Sequence, residues 1–530
     1  MTTTTTVSEE PTATSSAPPL PGAAWTLTAV SVSTFLLMLD LTVVNVAIPD
    51  IQRDLAAPFS AMQWTLDAYA LGLAALVLAS GSIADRFGKR RVFAIGLVAF
   101  TLASLACGLA PSASILIASR AFQGLAAAVL FAIGPALIGD AYPGRGKGMA
   151  FGVFGAVSGM AIAFGPLIGG TLTDAGSWNW IFLVNIPFSL VALVITLIKT
   201  PSSVQRAAQR LDLPGLVLFT AGVTTLVWAL LRVQDLTWTD PQVVVAGLAG
   251  FVALVAFVGV ERHKGSTAMI DLSYFANRTA SLFSFVTFAA GASVMAALFL
   301  LISYVQNIWQ LSAFETGVKF LPLTGTLFVC AAVAGFVSDK LPPRLLIGLS
   351  QTFIATGLFL TLASGSTPET WTRLLPAMFF IGAGMGLFNP PRAALSIAVV
   401  PPSKFGAGSG INETFQQVGV AVGIAALGTA FTEFFVSKFT AGSASALLGD
   451  DTRQMAEAIA SNPSALDLPG VTDPAVQEVL LSSAVSAASG ALHWSMVIAG
   501  ALACLSAVAG FALRRSDLYP PEPRVGATDV

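Results

Sequence analysis

The stretch GSIADRFGKRR, Gly81 to Arg91, sets Asp85, Arg86, Lys89, Arg90 and Arg91 between two apolar runs, YALGLAALVLAS and VFAIGLVAFTLASLACGLA. Only 10% of the 530 residues are charged, so this concentration needs a reason. Composition supplies the frame. The chain is 55% hydrophobic with mean hydropathy +0.79, more apolar surface than a water-soluble core can bury. A hydrocarbon layer about 30 Å thick is crossed by a helix of roughly 20 mainly apolar residues, and segments of that kind recur along most of the sequence. The chain reads as an all-α polytopic membrane protein, with the charged stretch as a connection between two spans.

Working outward, spans are expected near 25–49, 62–80, 92–110, 114–139, 148–171, 179–198, 212–232, 243–260, 279–305, 314–337, 345–364, 374–399, 405–432 and 490–513, fourteen in all. Residues 1–23, rich in Thr, Ser and Pro, are expected to form a disordered cytoplasmic tail. With both ends inside, the inner connections collect roughly 18 of the Lys and Arg residues and the outer ones roughly 6, as the positive-inside rule requires. Residues 433–489 then form an outer loop. The net charge of −2 gives no reason to expect a nucleic-acid partner. Cys107, Cys330 and Cys504 lie inside apolar runs, so neither a disulfide framework nor a metal site is implied.

A repeat bears on the opening stretch. GSIADRF, from Gly81, is echoed by GFVSDKL, from Gly335, at an offset of 254. Gly148, Gly152, Gly165 and Gly170 recur as Gly406, Gly410, Gly423 and Gly428, at an offset of 258. Two parallel halves of six helices separated by two extra helices account for these offsets. The expected division is 24–200 for the first bundle, 201–265 for the linker and its two helices, and 266–530 for the second bundle.

These residues carry a resemblance. Gly81, Asp85, Arg86, Gly88, Lys89 and Arg90 resemble the signature loop of the major facilitator superfamily, between its second and third spans. LDLTVVNVAIP (Leu39–Pro49), SRAFQG (Ser119–Gly124) and GPLIGG (Gly165–Gly170) resemble motifs of the first, fourth and fifth spans in that superfamily's fourteen-span drug:proton antiporter family. The resemblance implies two pseudo-symmetric six-helix bundles plus two linker helices. It also implies a loop that latches the two halves on the cytoplasmic side. Independently, Gly81 and Gly88 permit close backbone approach and a tight turn, and Asp85 is placed to cap a neighbouring helix end.

Ionisable residues inside a membrane are costly and usually face a cavity. At 1.5 Å per residue, Asp40 lies roughly 14 Å, Arg120 roughly 9 Å and Asp67 roughly 7 Å from the outer ends of their spans, so the three are expected at similar depth. Glu413 shares a helix face with Ser409, Gln416 and Gln417, a polar stripe near the midplane. Asp40 and Glu413 are the candidate proton carriers, and Arg120 the candidate switch whose pairing changes with conformation. Gly155, Gly159, Gly165, Gly169 and Gly170 are expected to let the fifth helix pack closely, with a bend at Pro166. Asn389, Pro390, Pro391 and Arg392 suggest a second irregular helix, without an assignable role.

Only His263 and His493 are present and no GxxxxGK[ST] loop occurs, which removes His-based catalysis and ATP-driven transport. The expected activity is non-enzymatic, cofactor-free secondary transport: export of amphipathic, cationic small molecules in exchange for protons by a monomer in the lipid bilayer. Export of one endogenous metabolite and a transport-inactive membrane sensor are the alternatives. The tenth span lacks the mid-membrane acid of relatives that export divalent cations, which puts dicationic substrates in doubt.

Overall fold

The computed structural model describes residues 18–57, 59–143, 146–201, 212–233, 236–264, 268–269, 272–338, 340–365, 367–442, 452–461 and 474–514. Most of the expected N-terminal tail, residues 202–211 of the linker, Asp339 of the repeat and much of the outer loop (443–451 and 462–473) lie outside these residues.

Long apolar runs punctuated by caps give fourteen long helices among the described residues: α1 (Ala23–Asp54), α2 (Phe59–Phe87), α3 (Lys89–Gly108), α4 (Ala113–Ala141), α5 (Lys147–Ala175), α6 (Asn185–Lys199), α7 (Leu213–Arg232), α8 (Pro241–Lys264), α9 (Arg278–Asn307), α10 (Ala313–Val337), α11 (Pro343–Leu360), α12 (Leu375–Ala398), α13 (Phe405–Thr440) and α14 (Pro474–Phe511). Their ends follow local chemistry. Ser312 and Glu315 form a capping box at the start of α10, and the Asp212 and Asn277 side chains accept the Gly215 and Ala280 N–H groups. Gly88 and Gly146 precede α3 and α5 at φ 95° and 86°, a region that L side chains rarely adopt.

Among the described residues, thirteen helical segments are long and apolar enough to cross a membrane. The expected fifth span coincides with α5, a 29-residue helix that is not among the thirteen. Two expectations need correction. The backbone of α5 is helical through Pro166, whereas α12, expected to be irregular, continues as an α-helix through Pro390 and Pro391. The segment expected as an outer loop is partly helical: α13 and α14 run past their expected ends, and a short helix, Thr452–Ser461, packs on α13. Its Ala456 and Ile459 are buried with Leu480 and Phe439 in one apolar cluster.

Helices α1 to α6 pack among themselves, as do α9 to α14. The two groups meet where α2 crosses α13 and where α5 crosses α10. The repeated glycines are the crossing points. A Cβ on Gly335 would lie 2.5 Å from Gly152 Cα and 3.1 Å from the Gly148 oxygen, so α10 and α5 touch main chain to main chain. Gly81 and Gly406 play the same part for α2 and α13. Both crossings lie at the basic face, the end of the bundle that carries most of the Lys and Arg. Helix α7 lies against α2 and α13. Helix α8 covers α7 and presents Val245, Leu248, Phe251 and Val252 outward, as a lipid-facing helix should.

Candidate functional site

Asp40 of α1 and Arg120 of α4 are both buried, and they form an ion pair with Nη1 2.5 Å from Oδ2. Arg120 also donates to Gln123 Oε1 (2.7 Å) and to the Thr65 carbonyl (3.2 Å), and its guanidinium lies 4.2 Å from the Tyr69 ring centroid. Gln123 Nε2 donates to Asp40 Oδ1 (3.0 Å) and Ser104 Oγ (2.7 Å), while Asn185 Nδ2 reaches the same two acceptors at 3.4 and 3.2 Å. Five helices, α1, α2, α3, α4 and α6, thus converge on one carboxylate and one guanidinium. Burial makes each of these charges costly alone, and the surrounding donors and acceptors satisfy what the pair leaves over. Among the described residues of the network, two buried atoms have no hydrogen-bond partner, Asn185 Oδ1 and the Tyr69 hydroxyl.

Sequence depth placed Asp40 and Arg120 together, and the structure brings them into contact. Asp67 sits half-buried on α2, two residues from Thr65. Gln123, Asn185, Ser104 and Tyr69 were not anticipated. A signal for two of them existed: Gln123 follows Arg120 by three positions, the same face of a helix, and Asn185 is a polar residue inside the apolar run WIFLVNIPFSLVALV.

On the other side of the interface, Glu413 of α13 is buried, with Arg392 of α12 as its ion-pair partner, Nη1 to Oε1 3.0 Å. That contact is not aligned as a hydrogen bond, and Arg392 Nε, Ser409 Oγ and Gln416 Oε1 are buried without hydrogen-bond partners. Gln416 and Gln417 are half-buried. Residue 291 of α9, a glycine, packs on the Gln416 backbone, and there the helix widens into a π segment, Gly291–Met295, of the kind often found at functional positions. One turn earlier, Thr287 Oγ1 donates to Asn412 Oδ1 (3.0 Å). Arg392 was singled out in the sequence without a role, and its partner is Glu413.

The glycines of α5 bear on the same region. A Cβ on Gly165 would lie 1.9 Å from Thr42 Oγ1 and one on Gly169 would lie 2.7 Å from Val43 Cγ2, so this helix packs directly on α1 beside Asp40. Gly155 abuts Pro390, and Gly170 faces open space.

At the basic face, Asp85 of α2 accepts the Gly406 and Ala407 N–H groups, each at 2.9 Å. These are first-turn amides of α13, so an acid from the first group of helices caps a helix of the second, where the helix dipole favours negative charge. Lys89 sits 2.9 Å from both Asp140 oxygens, 3.8 Å from Asp85, and over the Phe405 ring. Arg90 donates to the Leu197 carbonyl, and Arg86 lies over the Phe87 ring.

Residues 30–424 match the Major Facilitator Superfamily. The chain is 38% identical over 414 residues to the puromycin resistance protein pur8 of Streptomyces alboniger, covering 77% of this chain and 82% of that one. It is 29% identical to the tetracenomycin C resistance and export protein of Streptomyces glaucescens over 94% and 93% of the two chains. The solved proton:xylose symporter XylE shares the fold, with TM-score 0.60 at 13% identity over 92% and 94% of the chains. The protein is a multi-pass, all-α membrane transporter of small molecules and belongs to the Major Facilitator Superfamily.

Proposed function

We propose that the chain is a proton-coupled antiporter that exports amphipathic, mainly cationic small molecules, antibiotics among them, across the cell membrane, with the basic face and both termini cytoplasmic. The observation that carries this reading is the buried Asp40–Arg120 pair held by Gln123, Asn185 and Thr65. A proton arriving on Asp40 removes the counter-charge of Arg120, and the guanidinium must then find other partners. That ties protonation to a rearrangement of five helices. Glu413 with Gln416 and Gln417 supplies acid and amide groups toward a cationic substrate. Asp85 at the start of α13 stabilises the arrangement in which the cytoplasmic side is closed.

Reconstitution into proteoliposomes with an imposed pH gradient tests the coupling. Uphill accumulation of a monocationic compound that collapses with the gradient is the expected result, and accumulation indifferent to the gradient would overturn it. A second reading, one dedicated antibiotic substrate, is favoured because both relatives above are named for a single compound. Competition among unrelated cations in the same vesicles separates the two: mutual inhibition supports a broad site, and indifference supports a dedicated one.

A further inference from the structure

At the basic face, away from the polar networks, the ends of α9, α11, α12 and α14 enclose a cavity of about 240 Å³. Its walls are apolar where Pro343, Leu395 and Leu513 line it, and two cationic side chains, Arg344 and Arg514, complete the lining. Neither arginine has an acidic partner among the described residues. Their placement is built in. Buried Thr279, at the start of α9, receives a hydrogen bond from the Arg514 N–H (3.0 Å) and returns one to the Arg514 carbonyl (3.3 Å), fixing the segment that follows α14 beside the cavity. Arg344 stands in the first turn of α11, an 18-residue helix whose cap, Pro342, makes no side-chain hydrogen bond. The positive end of that helix adds to the field of the two guanidinium groups. Leu349, five residues beyond Arg344 on α11, and Phe511, three residues before Arg514 at the end of α14, are exposed and continue the surface toward the hydrocarbon.

Two arginines without an acidic partner among the described residues, beside a helix N-terminus and with apolar walls leading into the bilayer, match a phosphate attached to acyl chains. We propose that this cavity binds the headgroup phosphate of an anionic glycerophospholipid and that the lipid braces the ends of α9, α11 and α14. The site lies apart from Asp40, Arg120 and Glu413, and the inference does not rest on the transport reading.

The full-length protein, purified in a neutral detergent, is titrated with phosphatidylglycerol, with phosphatidylcholine of the same acyl composition, and with inorganic phosphate, following thermal unfolding. Saturable stabilisation by phosphatidylglycerol alone is expected. Arg344→Ala combined with Arg514→Ala should raise the half-saturating concentration roughly 30-fold, the product of two contacts of the size basic residues make at an anionic surface. Equal stabilisation by phosphatidylcholine would overturn the proposal, and equal stabilisation by inorganic phosphate would show a free-anion site instead. Arg278→Ala, on the same face but outside the cavity, should leave the titration unchanged. Weakening by Arg278→Ala as large as that of the double variant would reduce the effect to diffuse surface charge. Should the double variant fail to fold, Arg344→Gln and Arg514→Gln separately are each expected to weaken binding about fivefold, and unaltered binding by both would reject the site.

Discussion

Gly81 of α2 and Gly406 of α13 meet main chain to main chain: a Cβ on Gly81 would lie 2.1 Å from the Gly406 carbonyl oxygen, and one on Gly406 would lie 2.4 Å from the Gly81 oxygen. Backbone cannot give way as a flexible side chain can, so any side chain here must drive the helices apart. With the Gly152–Gly335 contact between α5 and α10, this crossing is what the internal repeat encodes.

Gly81→Leu should therefore open the basic face. Overpacking of this kind costs about 1–3 kcal/mol, charged here against the closed arrangement alone. Amide hydrogen exchange at the start of α13 is expected to accelerate and transport to fall, with Gly335→Leu giving the same signature at the start of α5. Unchanged exchange together with a wild-type transport rate would show that the crossing is not held by contact.

Four residues after Gly81, the Asp85 carboxylate accepts two amides of α13, and Arg86 rests on the neighbouring Phe87 ring. Asp85→Ala removes both acceptors, a cap loss of about 1–2 kcal/mol. The expected outcome is slowed transport with substrate affinity in detergent changed less than about twofold, because the contact biases conformation and lies at the first turn of α13, about two turns before Glu413. Arg86→Ala should stay near wild type. A transport defect in Arg86→Ala as large as that in Asp85→Ala would assign the effect to loop charge rather than to the cap.

Much of this was legible in the sequence, and the limits have physical causes. Apolar runs long enough to cross a bilayer gave the helices, and glycines at matching offsets marked the helix crossings, since only glycine tolerates such approach. Depth along a helix was enough to pair Asp40 with Arg120. It could not say that Gln123 and Asn185 would complete the network, because which polar side chains turn inward depends on the rotation of each helix. Pro390 and Pro391 suggested an irregular helix; the missing N–H groups are tolerated within packed neighbours, and α12 runs on to deliver Arg392 to Glu413. The segment 433–489 read as a loop, yet its apolar residues Ala456 and Ile459 are spaced three apart and are buried with Phe439 of α13 and Leu480 of α14.

That packing makes the short outer helix part of the second group of helices. Ile459→Asp places a charge in the cluster with Phe439 and Leu480 and should lower the thermal midpoint clearly, whereas Glu457→Ala, on the exposed face, should not. Ile459→Ala is expected to cost about 2–4 kcal/mol, at the lower end if the site collapses. Identical melting of Ile459→Asp and wild type would show that the helix is merely laid on the surface.

The last prediction separates the two buried carboxylates by what each leaves behind. Asp40→Asn keeps the shape of the side chain but strips the counter-charge from a guanidinium that is 1% exposed and otherwise bonded to neutral oxygens. An uncompensated buried charge of this kind costs about 3–5 kcal/mol, so folded yield should fall. Adding Arg120→Gln removes both charges and should restore most of the yield, while uphill export of every substrate stays absent because no proton site is coupled to the five-helix network. Glu413→Gln differs in degree. Arg392 loses its partner, but its side chain retains 10% exposure, so water can compensate part of the loss. Folding should survive, export of a monocation should weaken, and export of a neutral compound should persist. The measurement is pH-driven efflux of one cation and one neutral compound in all three variants at matched membrane levels. Uphill export by Asp40→Asn/Arg120→Gln, or equal impairment of both compounds in Glu413→Gln, would mean that the two carboxylates act as one coupled pair.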